Sequence, residues 1–211
     1  MIVGNVTQDR LSRKYMFENP TSLAQALIEL GYVALFTAAD HERRLNEIRK
    51  NASRAIIERL VNDPVAPPLA RFLASQMLLA SDMTFLSRAD LGSLSRVYVE
   101  AFLGNFTTRM SDWGFLHSND DMGSVGSMFL VFGERSIPDL LNALNDERIV
   151  DYERPDPDFS GFDPTRLQKI RIKDFAALHI SKIRNLPLVL KVRFDERDVA
   201  IASLKRQMGQ Y

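Results

Sequence analysis

The stretch Ser118–Arg135 reads SNDDMGSVGSMFLVFGER: two aspartates, then two glycines among serines, then an unbroken run of large apolar residues closed by a third glycine. The character of the chain changes here. Up to about Gly114 apolar residues recur at helical spacing, whereas after Gly126 short apolar runs are separated by turn-forming residues. Met128–Phe132, apolar at every position and flanked by glycine, reads as a buried strand.

Working back toward the N-terminus, Pro20 in a first turn capped by Asn19 opens a helix with the stripe Leu23, Leu27, Leu30 and Ala34. A second helix is expected from Asp40 to Val61, with Leu45, Ile48, Ala52, Ile56 and Leu60 on one face and basic and acidic side chains on the others. Pro64, Pro67 and Pro68 end it and start a third, which carries Leu69, Phe72, Leu73, Met77 and Ala80 and stops around Ser81. A fourth begins near Ser87 or Asp90, with Leu91, Leu94, Tyr98, Ala101 and Phe102 in register. It extends to Met110 unless Gly104 breaks it.

Working forward from the quoted stretch, Ser136 and Pro138 open a short helix lined by Leu140, Leu141 and Leu144, and Arg148–Tyr152 reads as a second strand. Glu153–Pro164 is a loop by its prolines and glycine. Ile170 and Ile172 alternate with Arg171 and Lys173 as in a strand, while Phe175–Ile183 reads as helix. Leu188, Leu190, Val192 and Phe194 alternate with Val189, Lys191 and Arg193 as in a half-buried strand, and a last helix spans Glu196–Met208. The fold class expected is an α-rich α+β protein. A helical bundle-like region over residues 1–115 leads through a connector, 116–127, into a smaller mixed region with a short sheet, 128–211.

The 211 residues are 45% hydrophobic, enough for a core, and carry 27 basic and 27 acidic side chains. With formal net charge zero, there is no global attraction toward nucleic acid or an anionic membrane. The absence of cysteine excludes disulfides, thiolate metal sites and a cysteine nucleophile. No apolar run approaches the roughly 18 residues of a membrane span, and the N-terminus lacks the apolar segment of a secretory signal. The chain is therefore expected in the cytoplasm or within an intracellularly assembled particle.

The glycines of the quoted stretch do not make a phosphate loop, because they precede the apolar run instead of following a strand, and no lysine stands nearby. Asn119, Asp120 and Asp121 lack the alternate spacing of a calcium loop. Gly123–Ser127 misses the nucleophile-elbow spacing by one residue, and His41, His117 and His179 stand in no metal-binding pattern. No catalytic residue, cofactor or metal is assigned.

Two features remain. Trp113, Phe115 and His117 form an aromatic cluster beside the polar loop, a lid over the core or a contact for a partner. Charge is also unevenly placed: Glu134–Asp163 holds nine acidic and three basic residues, and Pro164–Arg193 holds eight basic residues and one acidic. These neighbouring segments either neutralise each other in the fold or stand as separate faces, with Arg166, Lys169, Arg171 and Lys173 offered to a partner. The function expected is that of a noncatalytic structural or adaptor subunit acting through protein–protein contacts, with other subunits or copies of itself as partners. The alternatives are a nucleic-acid-binding module using residues 166–193, or an enzyme whose site no motif announces.

Overall fold

The structure, a computed structural model, describes residues 17–104, 125–152, 168–189 and 191–209. The chain divides at Asp90–Leu91 into two compact units.

The first unit is helical. Helix α1 (Pro20–Phe36) begins where Asn19 Oδ1 accepts the Ser22 N–H at 3.0 Å, with proline in the first turn, where its missing N–H has no cost. It is interrupted at Gly31, whose φ of 69° with ψ of 175° is a conformation glycine alone adopts readily. No atom lies within 4 Å of where a Cβ would stand, so backbone conformation, not space, selects glycine.

The single helix expected over 40–61 is two helices, α2 (His41–Asn51) and α3 (Arg54–Asn62). Ala52 is extended, and Ser53 starts a new helix by accepting the Ile56 N–H at 3.3 Å. The stripe from Leu45 to Leu60 is continuous in sequence and hides a change of axis that only the cap betrays. Ser53→Ala is expected to destabilise the protein by about 1 kcal/mol, read as a lower urea midpoint by far-UV circular dichroism.

Helix α4 (Pro68–Ser81) packs on α1 and α3 and supplies the buried Phe72, Leu73 and Met77. Tyr32 stacks on Phe72 with ring centroids 5.9 Å apart. Arg71 reaches back to donate through Nε to the Val61 carbonyl, tying α4 to the end of α3. A 3₁₀ turn, Met83–Ser87, closes the unit, and Asp82 caps it by accepting from the Thr84 N–H and hydroxyl. The Thr84 hydroxyl and the Arg54 guanidinium hold the Asp82 pKa down at about 2.

The second unit opens with α5 (Leu91–Gly104); the expected continuation to Met110 lies outside the described residues. The expected strand Met128–Phe132 is instead helix α6 (Met128–Phe132). Burial shows the period: Met128, Phe129 and Phe132 point inward while Leu130 and Val131 face solvent, whereas a strand would bury alternate residues. A run with no polar position carries no period of its own, and Gly133, at φ 58°, stops the helix as a glycine can.

A 3₁₀ turn, Gly133–Ser136, leads into α7 (Ile137–Ala143). Strands β1 (Ile149–Tyr152) and β2 (Gln168–Arg171) pair antiparallel, Ile149 opposite Arg171 and Tyr152 opposite Gln168. The backbone ladder continues beyond them through Ile172 N–H to Arg148 C=O and Lys173 N–H to Asp146 C=O. The mixed α+β sheet expected from sequence is not formed, and this ribbon is the β structure of the described residues.

Helix α8 (Ile172–Ile183) follows β2 directly and is the core of this unit, with ten consecutive residues, Ile172–Ser181, buried between α7, α6, β2 and the last helix, α9 (Phe194–Met208). The described residues of the strand expected over 188–194 form none, and Phe194 already belongs to α9. Val189 and Val192 stand in solvent, and the carbonyls of Lys191 and Val192 accept from the Arg197 guanidinium where a neighbouring strand would have bonded them. The alternation of apolar and basic residues there had no second strand to pair with.

Candidate functional site

Of the residues singled out in the sequence, Trp113, Phe115, His117 and Arg166 lie outside the described residues, as do the expected loop at 153–164 and the aspartates at 120 and 121. Lys169 stands in β2 opposite Asp151 in the ribbon register. Arg171 and Lys173 are brought together, but inside the protein. They are the centre of the densest charged cluster among the described residues of the C-terminal unit.

The cluster arises where β2 turns into α8. Asp174, in the first turn of α8, accepts the Arg171 N–H at 2.9 Å, a backbone cap that also favours a carboxylate at a helix N-terminus. The same carboxylate takes the Arg171 guanidinium, Oδ1 from Nη2 at 3.0 Å and Oδ2 from Nε at 3.2 Å. From α9, Arg197 places Nη1 3.0 Å from Asp174 Oδ2. Asp174 is wholly buried and Arg197 is 2% exposed, so one carboxylate serves two buried guanidinium groups.

Three more charged residues surround this centre. Arg171 donates to Asp198 at 2.8 Å and to Glu147 at 3.1 Å, and Lys173 pairs with both of those carboxylates. The Phe194 ring lies under both arginines, its centroid 4.7 Å from Arg171 Cζ and 5.2 Å from Arg197 Cζ. Three cations face three carboxylates, and the cluster is neutral.

Its electrostatics lock it. Burial works against the charges of Arg171 and Lys173, but the hydrogen bonds that the first donates to Asp174 and Asp198, and the second to Asp198 and Glu147, more than offset it, and both pKa values are raised. Arg171, helped by Lys173, holds the Asp198 pKa below the usual carboxylate range. These three groups are therefore fixed in their charged forms around neutral pH and are not suited to proton transfer.

The neighbouring acidic and basic segments thus meet within the fold. Glu147 of the acidic stretch pairs with Arg171 and Lys173 of the basic one, and Glu134 pairs with Arg184 at 2.7 Å. Sequence reasoning missed Asp174, Arg197 and Asp198. A signal existed: the buried face of α9 is a narrow stripe of Arg197, Ile201 and Leu204 at helical spacing, with an arginine occupying an apolar position.

A second buried polar group lies deeper in the same unit. His179 on α8 has no exposed surface and sits edge-on to Phe102, ring centroids 5.6 Å apart, with Phe129 at 4.8 Å. Burial alone drives its pKa down to about 3, so the imidazole is neutral. Nearby, Ser95 donates its buried hydroxyl to Ser136 at 3.0 Å, joining α5 to the turn before α7. In the N-terminal unit, His41 Nδ1 lies 2.8 Å from the Ala38 carbonyl oxygen.

Among the described residues no group of three or more histidine and carboxylate side chains is placed to hold a metal ion, and no helix is long and apolar enough to cross a membrane. An open groove of about 490 Å³ in the N-terminal unit is lined by Pro20, Ala55, Glu58, Arg59, Asn62 and Asp63. Being open and lined by polar as much as by apolar surface, it does not resemble an enclosed, largely apolar ligand site.

The apolar surface is more distinctive. On α6, Leu130 is 52% exposed and the adjacent Val131 47%, although the other three residues of that helix are core. No protein-family model matches the chain, and no curated protein and no solved structure is significantly similar to it.

Proposed function

We propose that this chain is a noncatalytic structural or adaptor subunit that works through protein–protein contacts within a larger assembly, with other subunits or further copies of itself as partners. The observation that carries this reading is the outward pair Leu130 and Val131. Neighbouring large aliphatic side chains left half in water each lose roughly 1 kcal/mol of burial that a partner surface can return. They stand on a short helix anchored by Met128, Phe129 and Phe132, and so are presented rigidly.

The placement of charge supports the same reading over nucleic-acid binding. Arg171, Lys173 and Arg184 of the basic segment are engaged by carboxylates of the same unit, leaving fewer cations for a phosphate backbone. Binding to single-stranded or duplex DNA or RNA at about 50 mM salt is expected to be absent; tight, steeply salt-dependent binding would return the function to the nucleic-acid alternative.

The direct test changes both aliphatic residues, Leu130→Asp with Val131→Asp. Since neither is buried, the free energy of unfolding in urea should change by no more than about 0.5 kcal/mol for each site. Cross-links from α6 to a neighbouring chain should disappear together with the larger species. A variant that assembles like the wild type would remove α6 from the contact.

A further inference from the structure

We propose that α9 is a releasable strap, leaving α8 as a unit while the rest of the C-terminal unit stays folded, with the charged cluster acting as its clasp. The two faces of the contact are unequal. Helix α8 is buried through ten consecutive residues and is held also by α7, α6 and the β ribbon. Of the fifteen residues of α9, only Arg197, Ile201 and Leu204 are buried, and the first of these is charged. An element with so little buried apolar surface belongs to the low end of local stability.

The clasp is arranged so that opening strands no charge. When α9 leaves, it takes Arg197 and Asp198 into water, where both are solvated. Asp174 keeps Arg171, Arg171 keeps Asp174 and Glu147, and Lys173 keeps Glu147. Each group left behind still faces an opposite charge, so the penalty that holds most buried ion pairs shut is reduced here.

The joint fits the same motion. Past the end of α8 at Ile183, Asn185 with a φ of 52° and the bond from Leu186 N–H to the Ser181 carbonyl close the helix without help from α9. The described residues from Leu186 to Arg193 have no regular structure, and the carbonyls of Lys191 and Val192 are held by Arg197, so this lead-in moves with the strap. Opening uncovers the face of α8 that carries Lys173 and Asp174, beside Arg171.

Amide hydrogen exchange on the full chain, without denaturant and followed by mass spectrometry, tests this. Peptides from residues 194–208 should exchange at least about tenfold faster than those of α8 and α5. Asp198→Asn, a mild change because Asp198 is nearly half exposed, should accelerate α9 by about tenfold and leave α5 and α8 unchanged. Arg197→Met, which keeps the apolar stem, should do the same. Equal rates for α9 and α8 in the unaltered chain would overturn the proposal. So would acceleration of all three helices together by these variants, or no acceleration of α9 by either.

Discussion

Replacing Asp174 with alanine is expected to destabilise the C-terminal unit by about 3–5 kcal/mol, the loss typical of removing one partner from a buried ion pair. The carboxylate is fully buried and accepts from the Arg171 backbone and from the guanidinium groups of Arg171 and Arg197. Without it Arg171 retains Asp198 and Glu147, but Arg197 is left inside the protein without the carboxylate that balances its charge, still donating to the carbonyls of Lys191 and Val192 and lying over the Phe194 ring. Part of the loss should therefore appear as undocking of α9, which returns Arg197 to water. Urea unfolding followed by circular dichroism gives the magnitude. A loss under about 1 kcal/mol, the range of an exposed pair, would mean that the cluster is solvated and that Asp174 is no hub.

The second large effect is a dependence on pH. His179 titrates at about 3 in the folded protein, against about 6.5 in an unfolded chain. Below about pH 6.5 the unfolded state binds a proton that the folded state refuses, so stability falls with pH down to about 3. At 1.36 kcal/mol per pH unit the loss between pH 7 and pH 4.5 is about 2–3 kcal/mol. The lowered pKa of Asp198 acts in the same direction, since a depressed carboxylate contributes stability above its unfolded pKa and loses it on acidification. That loss begins only near pH 4, where unfolded aspartate titrates. The two windows are separable. His179→Leu should flatten the stability curve between pH 6.5 and pH 4.5 and leave the steeper fall below pH 4. An unchanged slope in the variant would assign the loss to other groups.

Where the chain marks its own boundaries, the fold was legible. Asn19 with Pro20 and the pair Pro67–Pro68 located helix starts, and the end near Ser81 and the strand over 149–152 also appear where the pattern placed them. It was not legible where a pattern fits two periods. Met128–Phe132 has no polar residue to reveal which positions face inward. The alternation over 188–194 is that of a strand, but a strand needs a neighbour, and pairing partners are a property of the whole fold. The break at Ala52–Ser53 was hidden because Leu45, Ile48, Ala52, Ile56 and Leu60 run at helical spacing through it in the sequence, whereas the second helix buries Ile57, Leu60 and Val61.

The charged cluster was half visible. Arg171 and Lys173 stood out, but as surface, because a long basic side chain in a strand-like alternation is ordinarily solvated. What places them inside is Asp174 three residues on, together with Glu147 and Asp198 more than twenty residues away on either side. No local spacing encodes those last two contacts. The buried histidine showed in sequence only that it belongs to no metal-binding pattern, and its aromatic surroundings on α5 and α6 became visible only once those helices were packed.

The proposed role as a subunit is tested most directly by the mass of the species that carries this chain, measured by size exclusion with light scattering in extracts of its source and after purification at high concentration. A mass well above that of one chain is expected, reduced to a single chain when Leu130 and Val131 are both changed to aspartate. A chain that is strictly monomeric at every concentration and elutes with no other protein would contradict it.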